Sequence, residues 1–335
     1  MTEFKPGDPE PIVLNQSRVK QYQDCHRLFG WLYIEGLEAV GRRSAPEIGT
    51  AVHEGLRVYH IDRVGPAGTH EPKDPGQVDQ EALKVAEAVD VAVKKLTART
   101  GPGTAFQDKS LQEAAEIAKR TLEGYFKKYA AEGTLWRPIG QEVQFTVEVG
   151  EGARVFLRGR MDNLTVIGGR LFLIDYKTAA KMDPRDLLKY EMDMQLTSYI
   201  YGINKELARE AAETGVPALA ITAAIIDVLV KTQIPQYARE QYTRTDEELA
   251  EFESEFIEIG GEIRQKLRRV REGENWKVVF PKSTNHCFHY GVCAFRDLCL
   301  RDTPTRRQMF NRRSPDYVDT AEIELLIEWQ KAQEK

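Results

Sequence analysis

Residues 158–178 read RGRMDNLTVIGGRLFLIDYKT. Two apolar runs flank Gly168-Gly169, and a two-residue glycine turn between such runs closes an antiparallel hairpin. With the turn placed there, Ile167 faces Arg170, and counting outward sets Asp162 directly across from Asp175. Opposed side chains have Cβ atoms about 5 Å apart, so two carboxylates in that register repel. A divalent cation reverses the sign of that interaction. Lys177 lies two residues beyond Asp175, projects from the same face and adds an ammonium. The hairpin end is therefore expected to form a charged site of metal ligands plus a cation. A solvated sheet face explains a lone D-x-K tripeptide equally well, but it gives no reason for a second aspartate in register.

Composition agrees with a globular enzyme. The chain has 335 residues, 30% charged and 41% hydrophobic, enough for one elaborated domain or two. The longest apolar run, Ala218 to Ile226, ends at Asp227 and is too short to cross a bilayer. Residues 1–11 are polar and proline-rich, unlike a secretory signal, so a cytoplasmic location is expected. The formal charge of −5 means that nucleic-acid binding must rest on local basic patches. Two candidates are Lys266 to Arg271 (KLRRVR) and Arg301 to Arg313, each of which also fits a solvated helix face or tail.

Along the chain, Ser17 is the expected N-cap of a helix through RVKQYQDCHRLFGWLYI. A second helix is expected from Pro46 to His60. Gly65 to Gln77 is expected to be a loop by its prolines and glycines. Helical segments at Val78 to Ala98 and Ser110 to Ala131, parted by TGPGT, resemble an insertion. Strands follow from Ile139, then helix from Leu187 to Glu213, strands at Ala218 to Val230 and Gln236 to Thr243, and a long helix from Asp246 to Arg271. Strands grouped centrally between helices imply an α/β core with helical additions.

Further residues join the hairpin. His53 falls in GTAVHEGL, four residues after Gly49 on one helical face, and offers an imidazole nitrogen to a metal held by two carboxylates. Gln195 and Tyr199 are four apart on the helix after the hairpin and can address one spot. Glu142, on the preceding strand, is a further candidate carboxylate. Each of these also fits an ordinary helix or strand face. The four cysteines are Cys25, and Cys287, Cys293 and Cys299 in CFHYGVCAFRDLC. In a cytoplasmic protein such a group points to metal rather than disulfide, and four thiolates suit a tetrahedral zinc or an iron–sulfur cluster. His286 and His289 keep a mixed zinc site open, and free buried cysteines are the plain alternative.

Taken in order, SRVKQYQDCHRLF, GTAVHEGL, LRGRMDNL, LIDYKT, QLTSY and the terminal cysteine group resemble the RecB-type branch of the PD-(D/E)XK nuclease superfamily. The likeness is to its iron–sulfur members, such as the CRISPR-associated adaptation exonucleases and the AddB nuclease domain. It covers roughly Ser17 to Leu300. It implies a restriction-endonuclease-like fold: a central mixed sheet flanked by helices, with a helical insertion at about 61–135 and a nuclease core at about 139–245. The single nuclease domain is then 1–300, its cysteine cluster at 287–299, with 301–335 a tail carrying a short helix. The resemblance implies that His53, Asp162, Asp175 and the Tyr176 carbonyl hold the catalytic cation, and that Lys177 is the motif lysine. It also implies that Cys25, Cys287, Cys293 and Cys299 hold a four-iron four-sulfur cluster that staples the N- and C-terminal parts together. The last three cysteines are spaced more widely than the family's usual pattern.

Two aspartate ligands favour magnesium or manganese over zinc at the catalytic position. The expected activity is metal-dependent hydrolysis of DNA phosphodiesters, on single strands or free ends, with Tyr176 and Tyr199 as candidates for base stacking. No phosphate-binding G-x-x-x-x-G-K-[ST] loop is present, so a helicase or recombination partner would supply any ATP-driven step. The alternatives are a non-catalytic DNA-binding or assembly protein stapled by a cluster or zinc, and a nuclease of CRISPR adaptation.

Overall fold

The computed structural model describes residues 3–40, 44–61, 77–97, 105–130, 136–183, 185–217, 220–289 and 291–333. In chain order, β1 (Ile12–Leu14) leads to α1 (Gln16–Asp24), α2 (His26–Phe29), a π-helical turn (Gly30–Ile34) and β2 (Leu37–Ala39). Three long helices follow, α3 (Ser44–Ile61), α4 (Gln77–Thr97) and α5 (Ala105–Lys128). Strands β3 (Trp136–Glu148), β4 (Val155–Ile167) and β5 (Arg170–Ala179) precede α6 (Arg185–Leu188), a 3-10 turn (Lys189–Met192) and α7 (Met194–Thr214). Then come β6 (Ile221–Val230), β7 (Gln236–Tyr242), α8 (Asp246–Arg271), α9 (Trp276–Val279) and a 3-10 turn (Thr284–Phe288). The chain closes with α10 (Arg296–Leu300), α11 (Pro304–Arg307), β8 (Phe310–Arg312) and α12 (Tyr317–Gln333).

The fold is α/β around a mixed sheet of order β1-β4-β5-β6-β7, with β3 also paired to β4. The β1/β4 and β5/β6 pairs are parallel, and β4/β5 and β6/β7 antiparallel. β2 and β8 form a separate two-stranded ribbon. Among the described residues, no helix is long and apolar enough to cross a membrane. The described chain gathers into two compact units, one of Met1–Arg42, Phe145–Gly159 and Asp246–Lys335, the other of Arg43–Gln144 and Arg160–Thr245.

In the second unit the β4/β5 hairpin turns at Gly168-Gly169, and both glycines take positive φ (56° and 78°), as a tight hairpin turn of the expected kind requires. Ile167 pairs with Arg170, and the ladder runs to Asn163 against Ile174. Even-numbered β5 residues Phe172, Ile174 and Tyr176 enter a core built with α3, α4, α5 and β6. The helices at 77–128, expected as an insertion, thus help to bury one face of the sheet. Leu171 and Leu173 are buried as well, so β5 is covered on both faces, as a central strand with a parallel neighbour should be. On β6, Asp227 is fully buried and is held by the Arg239 guanidinium and the Tyr125 hydroxyl, each at 2.6 Å.

In the first unit, Val318, Ala321 and Ala332 of α12 are buried with Phe4, Val13 and Phe156. Buried Arg18 pairs with Asp319 and with Glu322. Residues 301–335 are therefore no tail with a short helix, because α12 alone has 17 residues and buries an apolar face.

Three departures from the sequence reading have a local cause. The N-cap of α1 is Asn15, whose side chain accepts the Arg18 N–H, in place of Ser17. The expected single helix breaks at Cys25, which is extended at φ −164° and ψ 112°. The helix expected from Leu187 breaks at Asp193, which caps α7 by accepting the Leu196 N–H. The expected loop from Gly65 to Gln77 lies outside the described residues except for Gln77, which begins α4, and the TGPGT break lies outside them.

Candidate active site

The hairpin, α3 and α7 build the site within the second unit. Directly beyond the last ladder pair, Asp162 and Asp175 come next in register. There the Tyr176 N–H donates to Asp162 Oδ2 at 2.9 Å. The same Oδ2 lies 3.3 Å from His53 Nδ1 on α3. Burial alone would raise Asp162, but the His53 ring, the Tyr176 N–H and Lys177 outweigh it and hold its pKa below the usual value. Burial would lower His53, and Asp162 and Asp175 more than reverse that, so its pKa is raised.

Asp175 is 2% exposed. Desolvation pushes its pKa up to about 6, with the Asp162 charge adding to the rise and Lys177 opposing it. Its Oδ2 lies 2.6 Å from Lys177 Nζ without hydrogen-bond geometry. Lys177 donates to Gln195 Oε1 at 2.7 Å, and Gln195 Nε2 donates in turn to Tyr199 Oη at 2.9 Å and Asp175 Oδ1 at 3.4 Å. Desolvation disfavours the ammonium, yet the Asp175 carboxylate overrides it and Lys177 is raised. Lys177 is thus held as a cation. The six residues expected in catalytic roles, His53, Asp162, Asp175, Lys177, Gln195 and Tyr199, are brought together.

Tyr176 points to the opposite face. Its hydroxyl is 3.0 Å from His60 Nε2 and accepts from Asn163 Nδ2 at 3.3 Å. With Tyr176 2% and Tyr199 8% exposed, neither presents a ring to a nucleic-acid base, which corrects the stacking expectation. Gly49 on α3 faces Thr178 so closely that a Cβ there would lie 2.8 Å from Thr178 Oγ1. The absent side chain is what lets α3 carry His53 up to the strand.

Among the described residues, no three His, Cys, Asp or Glu side chains are gathered tightly enough to hold one metal ion as they stand. The donor chemistry still fits a hard divalent cation. Two carboxylates and an imidazole are adjacent, and this set of hard oxygen and nitrogen donors suits such an ion.

Beside His53 and Asp162 opens a cavity of about 620 Å³, lined in part by Glu54 and Arg57 of α3, Lys95 of α4, Glu142 of β3 and Arg160 of β4. Arg57 pairs with Glu54 at 2.7 Å and Arg160 with Glu142 at 3.0 Å. Glu142 holds φ at 50°, unusual for a residue with a side chain, and burial raises its pKa against the opposing charge of Arg160.

The four cysteines all lie in the first unit as free thiols. The break at Cys25 exposes its Sγ to the Ser283 N–H at 3.3 Å, and Trp31 Nε1 donates to Cys299 Sγ at 3.2 Å. Burial pushes the Cys293 and Cys299 thiols up. The other three cysteines add to the rise at Cys293, and Cys25 and Cys287 add to that at Cys299, so the group shares one electrostatic neighbourhood. Arg27 also donates to the Phe280 carbonyl at 2.9 Å, so the segments around Cys25 and Cys287 are directly bonded. His286 lies 3.9 Å from Asp24.

The model of the PD-(D/E)XK nuclease superfamily matches residues 13–300. The chain belongs to this superfamily. It is 27% identical over 248 residues to an ATP-dependent helicase/deoxyribonuclease subunit from Moorella thermoacetica (strain ATCC 39073 / JCM 9320), covering 68% of this chain and 21% of that protein. The chain thus spans about a fifth of that relative's length. Among solved structures it is similar to a proposed exonuclease from Eubacterium rectale, at 18% identity and a TM-score of 0.41, with 85% of this chain and 89% of that one covered.

Within this PD-(D/E)XK chain, sequence reasoning missed Arg57, Lys95 and Arg160. Two signals were present. Arg160 shares a strand face with Asp162 by period two, and Arg57 follows His53 by one helical turn. Lys95 carried none, since only packing brings α4 to the cavity.

Proposed function

We propose that the chain is a divalent-metal-dependent DNA nuclease, acting as an exonuclease on single strands or free ends. The observation that carries this reading is the pair Asp162 and Asp175, adjacent across the hairpin with Lys177 fixed as a cation beside them. His53, Asp162 and Asp175, with the Tyr176 carbonyl, would hold magnesium or manganese. Such an ion, when bound, supplies an activated water and neutralises charge on the phosphate. Asp162 stays ionised, because the Tyr176 N–H and His53 both favour its anion. Lys177, with its pKa raised, serves as an electrostatic partner for developing negative charge and not as a general base. Gln195 fixes the ammonium by accepting a hydrogen bond from it, and Tyr199 accepts from Gln195 and so fixes the amide.

The cysteine group is part of the proposal. Four thiols share one neighbourhood, which suits a four-iron four-sulfur cluster, with structural zinc as the alternative. On this reading the cluster staples N- and C-terminal segments of the chain together, and an ATP-driven helicase or recombination protein is a candidate partner.

The test is manganese-dependent digestion of end-labelled single- and double-stranded DNA beside a closed circle. Release of short products from open ends, absent with Asp175→Ala and with the circle, is the expected result. Wild-type protein that leaves every substrate intact, or an Asp175→Ala variant that cuts normally, would refute the reading.

A further inference from the structure

The cavity beside His53 and Asp162 carries more cationic groups than metal chemistry needs. Arg57, Lys95 and Arg160 come from a helix, a second helix and a strand, and all three reach the same 620 Å³ space. Among the described residues that line it, and with His53 neutral as a metal ligand must be, Glu54, Glu142 and Asp162 oppose these three charges one for one. The wall is therefore balanced, and a polyanion gains little by entering it. A divalent cation at His53, Asp162 and Asp175 would leave the same wall with an excess of positive charge. The two arginine pairs are partly exposed, with Arg57 at 30% and Arg160 at 51%, so each pair is weak enough for a phosphate oxygen to replace its carboxylate.

Size and lining narrow the ligand. A volume of about 620 Å³ matches a pocket for one small ligand and gives no room for paired strands. No Phe, Tyr or Trp is among the described lining residues, so the wall offers no large aromatic platform for successive bases. What remains to be recognised is the sugar-phosphate backbone.

Resting on the nuclease reading, we propose that this cavity is the entry site for one DNA strand, whose phosphates are gripped by Arg57, Arg160 and Lys95, and that it accepts the strand only after the divalent cation is in place. Lys95 gives the α4 segment a role in substrate binding as well as in covering the sheet.

Binding is measured by fluorescence anisotropy with a short fluorescein-labelled oligothymidylate, in calcium or in EDTA, with label integrity checked on a gel. Wild-type protein is expected to bind at least about tenfold more tightly in calcium, and a blunt duplex of the same length should bind at least about tenfold more weakly than the single strand. Arg160→Gln and Lys95→Glu should each weaken binding several-fold and reduce the salt slope by about 0.7 per lost phosphate contact. Lys94→Glu, one position away on α4 and outside the cavity lining, is the matched control and should bind as wild type. Both lysines are exposed, so these two variants do not threaten the fold, and thermal unfolding verifies the arginine variant. Cavity variants that bind normally, an equal loss from Lys94→Glu, equal affinity in EDTA, or duplex preferred over single strand would each overturn the inference. Manganese-dependent cutting by wild-type protein in the same preparation separates the two readings. If it cuts while the cavity variants bind normally, only the entry site falls, and if it neither binds nor cuts, both fall.

Discussion

Asp162 Oδ2 accepts the backbone N–H of Tyr176 at 2.9 Å, at the point where the β4/β5 ladder stops. A side chain thus takes over a main-chain bond and ties the position of one expected ligand to the strand that carries the other. Asp162→Asn keeps an oxygen for that N–H, whereas Asp162→Ala leaves the amide without it. The alanine variant should lose about 1–3 kcal/mol of stability and the asparagine variant less, while both lose cleavage. Urea unfolding checks this, and equal midpoints for the two variants would remove the hydrogen bond from the account.

Cation binding should depend on pH in two phases. Asp175, raised to about 6, holds in the folded protein a proton that the unfolded chain releases near pH 4, so its contribution to stability declines as pH rises through that window. A bound cation displaces this proton below pH 6 and the His53 proton up to its raised pKa, while Asp162 is ionised throughout. The manganese-induced shift in unfolding temperature should therefore rise steeply up to about pH 6 and more gently above it. His53→Gln should flatten the upper phase and make the lower one less steep, whereas Asp175→Asn should reduce the lower one and leave the upper. A pH-independent shift would argue against these groups as ligands.

The hairpin, its turn and the face shared by Asp175 and Lys177 were legible because period two and a glycine pair fix register locally. The opposite face was equally legible. Tyr176 lies between Asp175 and Lys177 and so had to point inward, which the stacking expectation overlooked. The helix break at Cys25 was hidden, because the surrounding apolar spacing continues and the contacts that fix the break come from residues some 250 positions later. Arg57, Lys95 and Arg160 meet only through packing of α3 and α4 against the sheet, and no spacing rule joins them.

Lys177→Met should lower the cleavage rate by about 100-fold or more, through loss of a preorganised cation. It should also move the lower phase of cation binding to higher pH, since the ammonium now holds Asp175 down. Lys177→Arg should not restore the rate, because a planar guanidinium does not reproduce the compact contacts to Asp175 and Gln195. An unshifted binding profile in Lys177→Met would show that the pair is not electrostatically coupled.

For the cysteine group, protein purified without oxygen should be brown and contain about four irons and four sulfides per chain. Cys299→Ser should lose iron and unfold at lower temperature, because Trp31 and Phe295, buried around that thiol, then border a smaller and more polar side chain. Colourless protein with stoichiometric zinc would replace the cluster by a structural zinc.

Gly49→Ala tests how α3 delivers His53. Alanine favours an exposed helix by about 1 kcal/mol over glycine, so on propensity alone the change should stabilise. Here the new methyl would meet Thr178 Oγ1 at 2.8 Å, forcing either α3 or Thr178 to yield. Since His53 lies one turn along the same helix and only 3.3 Å from Asp162, a small outward shift of α3 should weaken manganese binding several-fold while leaving the unfolding temperature nearly unchanged. Gly49→Ala combined with Thr178→Ala restores the space and should restore affinity. Wild-type affinity in the single variant would mean that Thr178 simply turns aside and that the glycine does not position His53.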